Sequence, residues 1–285
     1  MNKLGEHTLA YETVGPFVTH VHLHHKDGTN RYSARSVRKG ARWIRPMMLG
    51  ADAQAKYVVC TKRINYWVAV AFMIGSFLFA LPGFFPEALA AYSNMVFFCG
   101  SVFFTSAGYL QLVESINKDI TNPELFRTEQ CYWIRFAWRP KNLGYLSSLV
   151  QFAGTLMFNV NCGSAFFPLT ILQQNMLIWG SGMLGSICFL VSCLFAWLEI
   201  CRDPSITAGQ SPEWWIVWSN IVGSIAFQIS SIVSFYLPQT GAEFAPTVSS
   251  FYLTLGAICF FIAAALLRIE DIVDSRKLIS GEYSA

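Results

Sequence analysis

Charge is what this sequence has least of: only 13% of its 285 residues are Asp, Glu, Lys or Arg, against 54% hydrophobic ones. That is too little charge to solvate the surface of a water-soluble domain of this size, so a large apolar surface must meet lipid. Histidine and aspartate are missing from every long apolar stretch, and the lack of histidine excludes a buried bis-histidine haem. There is no nucleophile elbow, no phosphate loop and no metalloprotease motif, so no enzyme chemistry and no cofactor are expected. No basic arm with interleaved motifs points to nucleic acid. The first sixty residues are polar and basic and carry no cleavable signal pattern; the first apolar run, from Tyr66, is expected to act as an uncleaved anchor.

What is present is long uncharged runs: Arg63 to Glu87, Glu87 to Glu114, Lys141 to Glu199, Glu213 to Glu243 and Glu243 to Arg268. A bilayer core takes about 20 apolar residues per helix, so four runs hold one span each and the third holds two. The spacing predicts spans near Tyr66–Leu81, Ala90–Val113, Leu143–Phe158, Asn175–Leu198, Trp214–Tyr236 and Val248–Leu267. Tight returns at Pro82 to Pro86, Asn159 to Gln174 and Pro238 to Pro246 make neighbours antiparallel. The fold class expected is therefore an all-α integral membrane protein of six transmembrane helices in three tandem hairpins. Its divisions are a basic cytoplasmic segment (1–64), hairpin units at 65–120, 143–203 and 204–274, an amphipathic cytoplasmic loop (121–142) and a tail (275–285).

Every Lys and Arg lies from Lys3 to Arg63, from Lys118 to Lys141, at Arg202 or from Arg268 onward, and none lies in the three short turns. That bias places both termini in the cytoplasm of a cell or inner membrane. Cys99, Cys188, Cys193 and Cys259 fall inside spans and act as small apolar residues; Cys162 near the outer face has no evident partner.

An internal repeat constrains the arrangement further. Glycine, a small residue, two further residues and phenylalanine recur once per span: Gly75-Ser76-Phe79, Gly154-Thr155-Phe158 and Gly223-Ser224-Phe227 going out. Gly100-Ser101-Phe104, Gly185-Ser186-Phe189 and Gly256-Ala257-Phe260 return. Fourteen residues after each returning glycine stands a glutamate: Glu114, Glu199 and Glu270. Three such units surround a pseudo-threefold axis, with the glycines near mid-membrane. Close backbone approach accounts for the glycines better than ligand contact does. The signature from Trp67 to Phe79, its counterpart from Trp215 to Phe227 and their Gly-Ser-x-x-Phe partners resemble the small YrhK-like membrane domain, in three copies over about 66–274. The resemblance implies the hairpin fold and no chemistry.

Two residue sets are candidates for function. Gln151, Asn159, Asn220 and Gln228 share a helix face with the outgoing glycines, either lining a solute path or bonding helix to helix. Glu114, Glu199 and Glu270 lie on nearly the same faces as their glycines, so they form either a cation-attracting ring at an inner mouth or pairs with bases. The bases weighed are Lys118, Arg202, Arg268 and the arginines of the N-terminal segment.

Before the first span, 18–36 is expected to form a β-hairpin turning at Asp27-Gly28, with His24 facing Arg31, His22 facing Ser33 and His20 facing Arg35. His20, His22 and His24 share a strand face as a metal site would need, but the arginines opposite repel a cation, so no metal is expected. Arg31, Arg35, Arg38 and Lys39 suit an anion or an anionic lipid headgroup instead. The partners expected are the bilayer, its headgroups, and a second copy or a membrane complex partner. Two functions stay open: a transporter or channel for a small solute or cation, and a non-catalytic membrane subunit or scaffold.

Overall fold

The computed structural model describes residues 2–4, 7–25, 28–39, 51–119, 134, 136–201 and 211–280. The amphipathic loop expected at 121–142 lies mostly outside them, as do Arg202 and the end of the tail.

The chain opens with an antiparallel meander of four strands in sequence order, β1 (Asn2–Leu4), β2 (His7–Val14), β3 (Phe17–His25) and β4 (Gly28–Ser33). Gly15, at φ +56°, makes the reversal between β2 and β3 in a conformation that favours glycine. The expected hairpin is thus only half of the sheet, and its pairing differs. Pairing runs up to His25 opposite Gly28, so His22 faces Arg31, His20 faces Ser33 and His24 faces Thr29. This is a shift of two residues, which keeps every side chain on its face while changing its partner. Residues Ala34–Lys39 leave the sheet as a short helix, α1, where the hairpin was expected to continue.

The membrane region consists of α2 (Ala51–Phe84), the single turn α3 (Pro86–Leu89), α4 (Ser93–Asn117), α5 (Leu143–Ser164), the short α6 (Ile171–Gln173), α7 (Gly180–Ile200), α8 (Pro212–Val233) and α9 (Pro246–Ser280). A π-helical stretch, Gln174–Trp179, joins α6 to α7. Five segments are long and apolar enough to cross a bilayer: Arg63–Phe84, Ser93–Asn117, Ile171–Ile200, Pro212–Val233 and Pro246–Val273. These define an integral membrane protein. α5 has 22 residues and stands in the same bundle, but Ser147, Ser148, Gln151, Asn159 and Asn161 make it more polar than the others.

α5 also runs further than expected, to Ser164 rather than Phe158. Asn159 and Asn161 read as an exit into solvent, yet both amides bond within the bundle, to Thr105 Oγ1 (2.8 Å) and the Ile178 carbonyl (2.6 Å). A polar side chain with a partner inside the bundle does not end a helix.

Each helix packs antiparallel against its chain neighbour, and α2 meets α9 to close the ring. The antiparallel sense follows from contact pairs of falling number, such as Gly223 with Gly256 and Ser230 with Ser249 in α8 and α9. In all three pairs the motif glycines meet across the crossing. A Cβ on Gly256 would lie 2.3 Å from the Phe227 ring and 2.9 Å from the Gly223 carbonyl. On Gly100 it would lie 2.8 Å from Phe79, and on Gly154, 2.8 Å from Phe189. The small residues beside them, Ser76, Ser101, Thr155, Ser186, Ser224 and Ala257, have no exposed surface. Apolar side chains such as Phe77, Leu184, Leu194, Ile225 and Phe251 point outward, as a lipid-facing surface requires.

Candidate functional site: a stoppered cavity in the bundle

The six motif phenylalanines converge at the centre of the bundle. Phe79, Phe158 and Phe227 form one triangle, with ring centroids 6.3, 5.7 and 6.0 Å apart. Phe104, Phe189 and Phe260 form a second, at 6.4, 5.6 and 6.1 Å. Within each hairpin the two rings touch at 5.3, 5.2 and 5.0 Å. All six are buried. Edge-to-face and tilted packing at these distances adds about 0.5–1.5 kcal/mol per pair to the burial of apolar area. The result is an apolar plug at the centre of the bundle.

On one side of this plug lies a cavity of about 80 Å³, room for several waters. Phe104, Phe189 and Phe260 form its floor, and Ser147, Gln151, Ser192, Asn220, Ser224 and Gln111 give its wall a polar character unusual in a membrane bundle. Arg35, Arg38 and Lys39 of α1 line it as well.

Those three cations meet the three glutamates one to one. Arg38 donates from Nη1 and Nη2 to the two oxygens of Glu199, both at 2.7 Å. Arg35 Nη2 reaches both oxygens of Glu270, at 3.3 and 3.4 Å. Lys39 Nζ donates to Glu114 Oε2 at 3.1 Å. All six side chains are buried, Glu114 completely. Burial disfavours charge on Arg35 and Arg38, but the carboxylates facing them outweigh it and hold both guanidinium pKa values above the ordinary one. Glu114 and Glu199 stand in the last turns of α4 and α7, where the helix dipole disfavours a carboxylate, and the α1 cations compensate it.

α1 is held from several directions. Asn65 Nδ2 donates to the Lys39 carbonyl (3.1 Å) and the Val18 N–H donates to the Lys141 carbonyl (3.0 Å). The second tie fixes the sheet to the loop before α5, where Asn142 donates to Asp119 (3.0 Å) and caps α5 through the Tyr145 N–H.

Of the residues singled out in the sequence, the glutamates therefore come together at one end, and their partners are α1 rather than Lys118 or Arg268; Arg202 lies outside the described residues. Arg268 pairs instead with Asp271 (2.7 Å) and lies over the Tyr66 ring. The amide stripe is divided by the phenylalanine plug. Gln151 and Asn220 line the cavity. Asn159 and Gln228 bond to Thr105 and Ser186 of neighbouring helices, at 2.8 and 2.9 Å, which is the interhelical-bonding alternative. Arg35, Arg38 and Lys39 face the bundle interior, not the anion- or headgroup-binding surface expected of them. Arg31 binds both oxygens of Glu12 (3.1 and 2.9 Å). Glu12 also takes a hydrogen bond from His22 (3.3 Å) and lies 3.8 Å from His20. Among the described residues no three His, Cys, Asp or Glu side chains are placed to hold a metal.

Two features were missed in the sequence. One is the convergence of the phenylalanines, although each had been noted in its motif. The other is α1 as a stopper, whose signal was the spacing 35, 38, 39, one face of one helical turn. No family model, no curated protein and no solved structure matches this chain.

Proposed function

We propose that the protein is a pathway for a small solute or cation, held shut by its own N-terminal domain, and not an enzyme. In this reading it has six spans, α5 included, as three tandem copies of one hairpin of the kind the YrhK-like resemblance implies, with both termini cytoplasmic. The observation that carries it is the partly polar cavity inside an apolar bundle, lined by the three cations of α1 and by the phenylalanines of the plug. A cavity walled by hydroxyls and amides costs packing energy that an inert bundle has no reason to forgo. Burying three ion pairs is likewise a poor route to stability alone, but a serviceable one for an element that must dock and undock.

The alternative is a non-catalytic membrane subunit or scaffold, favoured by the tight packing of the plug. Flux in proteoliposomes separates the two. With Arg35, Arg38 and Lys39 all changed to Gln, small-cation or small-solute entry should rise above wild type, and adding Phe104→Ala should raise it further. If folded protein carrying all four changes passes none of a panel of ions and small polar solutes, the scaffold reading replaces this one.

A further inference from the structure

The ring of Glu114, Glu199 and Glu270 has a ligand in this structure, and the ligand is the protein itself. Its chemistry indicates what else the ring accepts. The three carboxylates do not converge on one point: each holds a separate cation, and the three cations come from residues spread over one turn of α1, about 6 Å of helix axis. A single metal ion cannot satisfy carboxylates placed in that way, and the described residues hold no metal-ligating cluster. A chain carrying several separated charges can. The matching is also incomplete. Lys39 satisfies only one oxygen of Glu114, whose Oε1 is fully buried without a hydrogen-bond partner. The cavity that Glu199 lines beside the three α1 cations suits the remainder of such a ligand: amide and hydroxyl groups to accept N–H bonds, and the faces of Phe72, Phe104 and Phe189 for methylenes and for cation–π contact.

We propose that the glutamate ring is a binding site for linear polyamines, and that α1 occupies it as a built-in competitor. The cavity of about 80 Å³ is too small for a polyamine beside α1, so binding requires the α1 side chains to withdraw. The inference rests on the same site as the proposed pathway, yet it concerns equilibrium occupancy and not passage. A protein that binds polyamine without any flux would retain it and lose the pathway.

The test uses the full chain in nanodiscs and spermidine as the probe, followed by calorimetry at low salt. In the variant with Arg35, Arg38 and Lys39 changed to Gln, spermidine should bind at least about tenfold more tightly than in wild type, because the competitor no longer reduces the competent fraction. Adding Glu114→Gln, Glu199→Gln and Glu270→Gln to that variant should abolish the gain, and magnesium at equal ionic strength should not reproduce it. Equal affinity in wild type and the α1 variant, or affinity that survives loss of the glutamates, overturns the proposal. Should the α1 variant fail to fold, hydrogen exchange in wild type decides. Spermidine should speed exchange of the α1 amides while leaving α7 and α9 protected, and unchanged α1 exchange at saturating spermidine overturns it equally.

Discussion

The Arg38–Glu199 pair offers the sharpest check on the stopper. It is bidentate at 2.7 Å, with both side chains almost wholly buried, and it joins a helix before the first span to the end of α7. Changing Arg38 to Gln leaves Glu199 charged and buried with only Arg35 and Lys39 at longer range, a loss of about 3–5 kcal/mol. Changing Glu199 to Gln strands Arg38 in the same way, at a similar cost. The double change leaves two amides that can bond each other, so its cost should stay below about 2 kcal/mol. Strong non-additivity is therefore expected, with the double variant more stable than either single one. Arg268 and Asp271 give the comparison: Arg268 is 33% exposed, and their coupling should be within about 1 kcal/mol. Denaturant titration in micelles, read by fluorescence of the Trp197, Trp214 and Trp218 cluster beside Glu199, measures all of these. If each single change costs under about 1 kcal/mol and the double change equals their sum, the pair is not the buried clasp described above.

At the helix crossings, Gly256→Ala should destabilise the bundle by about 1–3 kcal/mol, because its methyl would meet the Phe227 ring at 2.3 Å and the Gly223 backbone at 2.9 Å. Gly108→Ala, whose methyl finds Phe152 and Thr155 at 3.5–3.6 Å, should be neutral or slightly stabilising, and thermal melts of the two in the same detergent should rank them so. For the sheet, burial pushes the Glu12 carboxyl up, but the His22 hydrogen bond and the charges of His20 and Arg31 outweigh it and leave its pKa below the ordinary 4.5. A carboxylate depressed in the folded state gives its full stabilisation above that ordinary value and loses it as pH falls through the lower folded one. Proteolysis of residues 7–33 should accordingly quicken only once pH falls below the ordinary 4.5, and Glu12→Gln should be weaker at neutral pH and lack that acid step.

The parts of the fold legible in the sequence are those fixed by local composition. The apolar runs located the helices because length and lipid exposure leave little choice, and the glycines read as crossing points because a missing Cβ has few other uses in a membrane. The end of α5 was misplaced for a definite reason. Asn159 and Asn161 are costly in lipid, and their partners on α4 and the π-helical stretch are invisible along the chain. β1 and β2 were passed over although His7–Val14 alternates and Gly15-Pro16 marks a turn. The phenylalanine plug depends on ring closure between α2 and α9, a contact between helices far apart in sequence. α1 was hardest of all. A basic stretch before a first span satisfies the positive-inside bias wherever it lies, so nothing in its composition separates a solvated arm from a buried stopper.

The inequality of the three pairs bears on how α1 finds its seat. If the proposed three-hairpin repeat holds, a bundle with three matching glutamates presents three ways to insert a cationic helix, differing by rotations of a third of a turn. Identical cations at equal spacing would not discriminate among them. α1 instead offers two guanidiniums and one ammonium at unequal steps, 35, 38 and 39, and the pairs formed are a bidentate bond to Glu199, a longer double contact to Glu270 and a single bond to Glu114. Only a guanidinium presents the planar fork that a bidentate carboxylate requires, so Lys39 at Glu199 would forfeit one of two charge-assisted bonds. Asn65 adds a further asymmetry, because it reaches both the Lys39 carbonyl and Asp271, and a serine and an isoleucine, Ser147 and Ile216, stand where α5 and α8 line the same cavity. Charge therefore draws α1 to the ring, while shape and hydrogen-bond count select one of three orientations. That division of labour explains why buried ion pairs occupy a position that apolar residues would fill at no loss of stability.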